Sequence, residues 1–273
     1  MDVDQFDPQN NQSVPYYGQS ILPEDSFLRV LPHIVDNKTR ISIDAIVMSC
    51  DIMTESFNRI REMSINRGLN GGDVDNRQIA SIFGYCWAIV DQMHCVSQLV
   101  YTIHKKHSER GPLTRSMITH CEVATTMRNA MDHLKDNLGN LSERKGQRSP
   151  LFGSLSYFYA ANLPDHSGNG VTLVSGSQVD ELRFPLINPI ERPFVLPVGL
   201  FDFTAFERTL QIEPALDALS RYVVAMGSDI EKQVIAAATQ HANETGVDVE
   251  SLLVSGRGSM TIVTHFGPSS ADS

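Results

Sequence analysis

Four stretches of the chain repeat apolar residues at alternating spacings of four and three, and each predicts an amphipathic helix. Ile46, Cys50, Met53, Phe57 and Ile60 set the first, over about 42–66. Ile79, Phe83, Cys86, Val90, Met93, Ser97 and Val100 set the second, over about 76–107, with Trp87 and Leu99 widening the stripe. The third, about 113–142, carries Met117, His120, Ala124, Met127, Met131, Leu134, Leu138 and Leu141. The fourth, about 213–244, carries Leu216, Leu219, Val223, Met226, Ile230, Val234 and Ala237, and Pro214 suits its first turn. Asn70-Gly71-Gly72-Asp73 and Gly111-Pro112 break the first three apart. Long helices on short connections pack as antiparallel neighbours.

The pattern changes between the third and fourth helices. Residues 150–205 hold most of the aromatic residues and prolines, in short β-prone runs such as Tyr157-Phe158-Tyr159 and Val171-Thr172-Leu173-Val174. A two-stranded ribbon is marginal alone, so this insert should pack on the helices. Residues 1–40 show little periodicity and read as an irregular N-terminal arm in which Phe27, Leu28, Val30 and Leu31 dock one short segment. The expected fold is therefore mainly α: a four-helix up-down bundle with a small antiparallel β-rich insert before the last long helix. The bundle domain spans 41–245, and 246–273 is a tail in which Ser251-Leu252-Leu253-Val254 and Met260-Thr261-Ile262-Val263 are the candidates for a short strand.

Composition narrows the function classes. Hydrophobic content of 41% and charged content of 20% are ordinary for a soluble domain. A net charge of −10 excludes a protein that coats nucleic acid with its whole surface, because that binding needs many neutralised phosphates. The acidic start, Met1-Asp2-Val3-Asp4, lacks the basic and apolar regions of a secretory leader. No uncharged apolar run reaches the roughly 20 residues that cross a bilayer. A cytoplasmic protein without a membrane segment is expected. The four cysteines fall at or beside apolar phases and read as buried thiols. His94-Cys95 and His120-Cys121 lack metal-ligand spacing, so neither a metal nor a cofactor is expected.

One run departs from its surroundings: Arg128-Asn129-Ala130-Met131-Asp132-His133. Asn, Asp and His are mediocre helix formers, yet here they interrupt the third apolar seam. Arg128 and Asp132 share one helical column, Asn129 and His133 another, and Arg128 and His133 diverge by about 140°. Asp136, three residues after His133, can orient or charge-stabilise the imidazole. An alternative reading has Arg128 paired with Asp132, and Asn129 and His133 in hydrogen bonds between helices. Two basic islands accompany the motif. Lys105, Lys106, Arg110 and Arg115 lie between the second and third helices, and Arg144, Lys145 and Arg148 lie beyond the third. Either can guide a phosphate backbone, or complement a helix dipole.

Arg128, Asn129 and His133 on a late helix of such a bundle resemble the R-N-x-x-x-H signature of the HEPN superfamily. The likeness covers about 42–142 and 213–244. The motif followed by Gly153-Ser154-Leu155-Ser156-Tyr157-Phe158 is also similar to bacterial helical proteins with this type of helix before a β insert. The resemblance implies a homodimer that acts as a metal-independent endoribonuclease on RNA. His133 would move protons for attack by a 2′-hydroxyl, Arg128 would stabilise the phosphoryl oxygens, and Asn129 would position the phosphate, with Asp132 and Asp136 supporting. The competing expectation is a non-catalytic bundle that binds a partner protein or a nucleotide.

Overall fold

The apolar stripes of the sequence lie along helices and bury most of their members in the computed structural model, which describes residues 20–70, 75–103, 111–136, 151–160, 168–175 and 196–254. The fourth stripe surfaces at its end, where Ala237 is exposed, and Leu138 and Leu141 of the third lie outside these residues. The protein is mainly helical with a small antiparallel sheet. Helix α1 spans Asn37–Asn70, α2 Asn76–Ile103, α3 Pro112–Asp132, α4 Ile212–Thr245 and α5 Val249–Leu252. Strands β1 (Ser154–Ala160), β2 (Gly168–Val174), β3 (Val198–Ala205) and β4 (Arg208–Gln211) form one sheet in the order β2-β1-β3-β4. Helix α1 packs mainly on α2, α2 on α3, and α3 on α4. Helix α2 is long and apolar enough by composition to cross a membrane, but here its stripe from Ile82 through Val100 is buried within the core.

Helix α1 extends beyond the expected 42–66 at both ends, and the third helix is broken. Helix α1 begins at Asn37 rather than 42, where the Asp36 carboxylate accepts from the Thr39 N–H at 3.0 Å. The first segment of the third helix, α3, ends at Asp132. After a break at His133 residues 134–136 are helical again, and the rest of the stretch expected to 142 lies outside the described residues. His133 leaves helical geometry at φ −98°, ψ 30°, its N–H still bonded to the Asn129 carbonyl, and the Asp136 N–H bonds back to the His133 carbonyl at 3.1 Å. Asn129, Asp132 and His133 are weak helix formers. The residues that make the motif chemically unusual also stand where the helix is interrupted.

Residues 20–36 are irregular, as expected of an arm, but they are built into the core. Ile21, Leu22, Leu28 and Leu31 are buried around a 3-10 turn at Phe27–Arg29. This strap lies between α1 and α4. The Ile21 N–H donates to Thr54 Oγ1 of α1 at 3.1 Å, and Ser220 Oγ of α4 donates to the Ile21 carbonyl at 2.8 Å. Arg29 locks it with two bonds to Asp51, at 3.0 and 2.8 Å, and one to the Leu22 carbonyl at 2.8 Å.

The β-rich insert supplies a sheet rather than a lone ribbon. Strand β1 is buried along its length and pairs with β2 and β3, Tyr157 facing Val171 on one side. Phe201 of β3 meets Phe57 of α1 edge to face at 5.6 Å, which ties the sheet to the helices. Strands β3 and β4 are joined through Phe206 and Glu207, both at positive φ (50° and 61°), matching the twist of a tight hairpin. Strand β4 runs straight into α4. There the buried Glu213 carboxylate accepts the Phe201 N–H at 2.8 Å, so the sheet fixes where the last helix starts. Of the two runs expected to give a tail strand, 251–254 instead closes the short helix α5, which Asp248 caps by accepting the Ser251 N–H at 3.1 Å. The other, 260–263, lies outside the described residues.

Candidate functional site

Arg128 projects from the last turns of α3 toward α2. Its Nε donates to Asp91 Oδ1 at 2.6 Å, and its Nη1 donates to the Asp132 carboxylate one turn along α3. One guanidinium thus serves two carboxylates. Partial burial pushes the Asp91 carboxyl up, Arg128 pulls it down, and the Asp132 charge adds to the rise. The net effect is upward, so the ion pair does not fully offset the desolvation of Asp91.

The predicted site residues do not converge on one point. Asn129 and His133 are exposed on the neighbouring column, while Arg128 is half-buried and faces α2. Asp132 is spent on Arg128, and Asp136 is exposed and meets His133 through the backbone. Arg115 is exposed near the start of α3, roughly 20 Å along the axis from Arg128. Lys105, Lys106 and Arg110 lie outside the described residues, as do Arg144, Lys145 and Arg148.

Arg128 and Asp91 instead close one end of a groove of about 950 Å³ between α2, α3 and the sheet. Ile79, Phe83, Trp87 and Met131 line it from the helices, and Phe152 and Val174 from the sheet side. Trp87 is fixed at both ends. Its Nε1 donates to the Phe152 carbonyl at 3.1 Å, and its ring meets Phe203 edge to face at 5.5 Å. Phe152 reaches the rim because Gly153 turns the chain at φ +96°, where a Cβ would come within 2.6 Å of the Thr204 carbonyl oxygen. Ser175 closes this corner, its N–H and Oγ both bonded to the Gly153 carbonyl, at 3.3 and 3.0 Å.

Gly84 lies in the same wall, in the middle of α2. A Cβ there would meet nothing within 4 Å. Glycine inside a helix costs about 1 kcal/mol relative to alanine, and here no close helix contact requires it. Its absence of a side chain leaves the groove open. Sequence periodicity missed Asp91, Gly84 and Phe152 as site residues. The available signals were the single tryptophan of the chain and a glycine inside a strong helical stripe.

Elsewhere, the cysteines behave as packing groups. Cys50, Cys86 and Cys121 are buried, and burial pushes the Cys50 and Cys121 thiols up to about 12. His94 Nδ1 shares a hydrogen with Thr125 Oγ1 at 3.1 Å between α2 and α3. Burial lowers the pKa of His120, with help from Arg221 and against Asp217. Among the described residues no three His, Cys, Asp or Glu side chains are placed to hold a metal ion. Compared with protein-family models, with curated proteins and with solved structures, the chain matches none.

Proposed function

We propose that this protein is a non-catalytic binding module, an up-down helical bundle whose groove beside Arg128 takes a nucleoside. The observation that carries this reading is Gly84, an exposed glycine in the groove wall inside a long apolar helix, where a Cβ would meet nothing within 4 Å. Aromatic and aliphatic walls with a few polar groups at one end suit a flat, mostly apolar ligand with a hydrogen-bonding edge. The base would lie against Trp87 and Phe152, with its amino or ribose donors toward Asp91 and Asp132. Two carboxylates around one guanidinium leave a net negative end, which disfavours a phosphate there. The module is accordingly expected to prefer nucleosides over nucleotides.

Trp87 is the only tryptophan, so intrinsic fluorescence reports on the groove directly. Titration with adenosine, guanosine, cytidine and uridine should give a saturable change for at least one, with the 5′-monophosphate weaker. No saturable response to any of the four removes the reading.

A second reading, the HEPN-like endoribonuclease acting as a homodimer, is favoured by one observation. Asn129 and His133 stand exposed beside a break in the helix instead of buried between helices. A second copy of the chain could complete that face. His133 would take the proton of an RNA 2′-hydroxyl, and Arg128 would exchange Asp132 for the phosphate. RNA cleavage in EDTA by the wild type, lost in both His133→Ala and Arg128→Ala, would support it. Equal activity in all three, or none in the wild type, would remove it.

A further inference from the structure

Helix α1 carries a second apolar stripe on its outer face. Ile41, Met48 and Ile52 are 68%, 58% and 36% exposed, with the half-buried Ala45 between them. Lys38 precedes this set and Glu55 follows it, both exposed. The six positions, Lys38, Ile41, Ala45, Met48, Ile52 and Glu55, are spaced three, four, three, four and three apart. This is the knobs-into-holes repeat of a helix pair, and the spacing reads the same in both directions.

From that palindrome we infer that α1 is a homodimer interface in which two copies cross antiparallel about a twofold axis between residues 46 and 47. An isologous contact requires that the patch complement itself when turned end for end. Here it does. Ile41 meets the partner subunit's Ile52, Ala45 meets the partner subunit's Met48, and Lys38 meets the partner subunit's Glu55. The small Ala45 beside the axis admits the long Met48 side chain. Each ionic contact occurs twice, opposite charges face each other, and the reverse parallel pairing would set Lys38 beside Lys38 and Glu55 beside Glu55. Glu55 also pairs with Arg59 of its own helix at 2.8 Å, so the partner subunit's Lys38 would share this carboxylate with Arg59.

The stripe runs roughly 26 Å along the helix. That length places the interface toward the small end of specific contacts, so a reversible dimer in the micromolar range is expected. It lies on α1, whereas the Arg128 motif lies on α3, so the inference stands independently of either functional reading.

Sedimentation velocity of the full chain tests it. The wild type should dimerise reversibly, and Lys38→Glu or Glu55→Lys alone should weaken the dimer by roughly tenfold or more through facing like charges. The double variant K38E/E55K should regain most of the wild-type affinity, because the swap restores both pairs. Met48→Lys, with unchanged helical content by circular dichroism, should be monomeric. A wild type that stays monomeric at high concentration overturns the inference. A dimer indifferent to all four variants overturns it equally.

Discussion

The guanidinium of Arg128 on α3 lies 2.6 Å from the carboxylate of Asp91 on α2, and that contact turns the arginine away from Asn129 and His133. The pair joins two helices at the polar end of an aromatic groove. It also fixes the charge balance there, with Asp132 as a second carboxylate on the same cation. A phosphate would have to displace one of them.

Asp91 makes the stability of this end depend on pH in an unusual direction. Its carboxyl is raised, chiefly by desolvation. The native state therefore holds the proton more tightly than the unfolded chain, and stability falls as pH rises through the carboxylate range. Asp91→Asn removes that loss. Its thermal stability relative to the wild type should increase between about pH 3 and pH 7. A relative stability that decreases over this window contradicts the assignment.

His120 acts in the opposite sense. Burial and Arg221 lower its pKa, so the native state resists protonation. Stability is retained above the ordinary histidine value and is lost as pH falls below it. His120→Gln should flatten the decline seen below about pH 6.5 in the wild type. Matching stability profiles for the two proteins would show that His120 contributes nothing there.

Gly153→Ala is expected to cost about 1–3 kcal/mol, because alanine is strained at positive φ and its Cβ would press on the Thr204 carbonyl. Denaturant unfolding should show a lower midpoint at unchanged slope. The same change shifts Phe152 at the rim and should weaken ligand binding in parallel. Wild-type stability in this variant would show that the turn is not held as described.

The helices were legible because their apolar stripes recur many times, and period is a strong signal over four or more turns. The strap at 20–36 was not, since Ile21, Leu22, Leu28 and Leu31 dock without a repeat. The interruption of the third helix at His133 was hidden for a related reason. Leu134, Leu138 and Leu141 continue the stripe in phase, while the break at His133 depends on local polar residues. At the site, the sequence showed Arg128 and Asp132 on one column, and the structure pairs them. It held no information that Asp91, on another helix, would claim the other edge of the guanidinium. Charge partners across helices depend on packing register, which periodicity alone does not set.

The central claim is that the groove beside α2 is a ligand site kept open by Gly84. Gly84→Leu tests it most directly, because leucine raises helix propensity by roughly 1 kcal/mol and a Cβ at this exposed position in the groove wall meets nothing within 4 Å. Calorimetric titration with the nucleoside that binds the wild type should show affinity reduced at least about tenfold, in a protein whose melting temperature is unchanged or higher. Wild-type affinity in a folded Gly84→Leu protein would contradict the account.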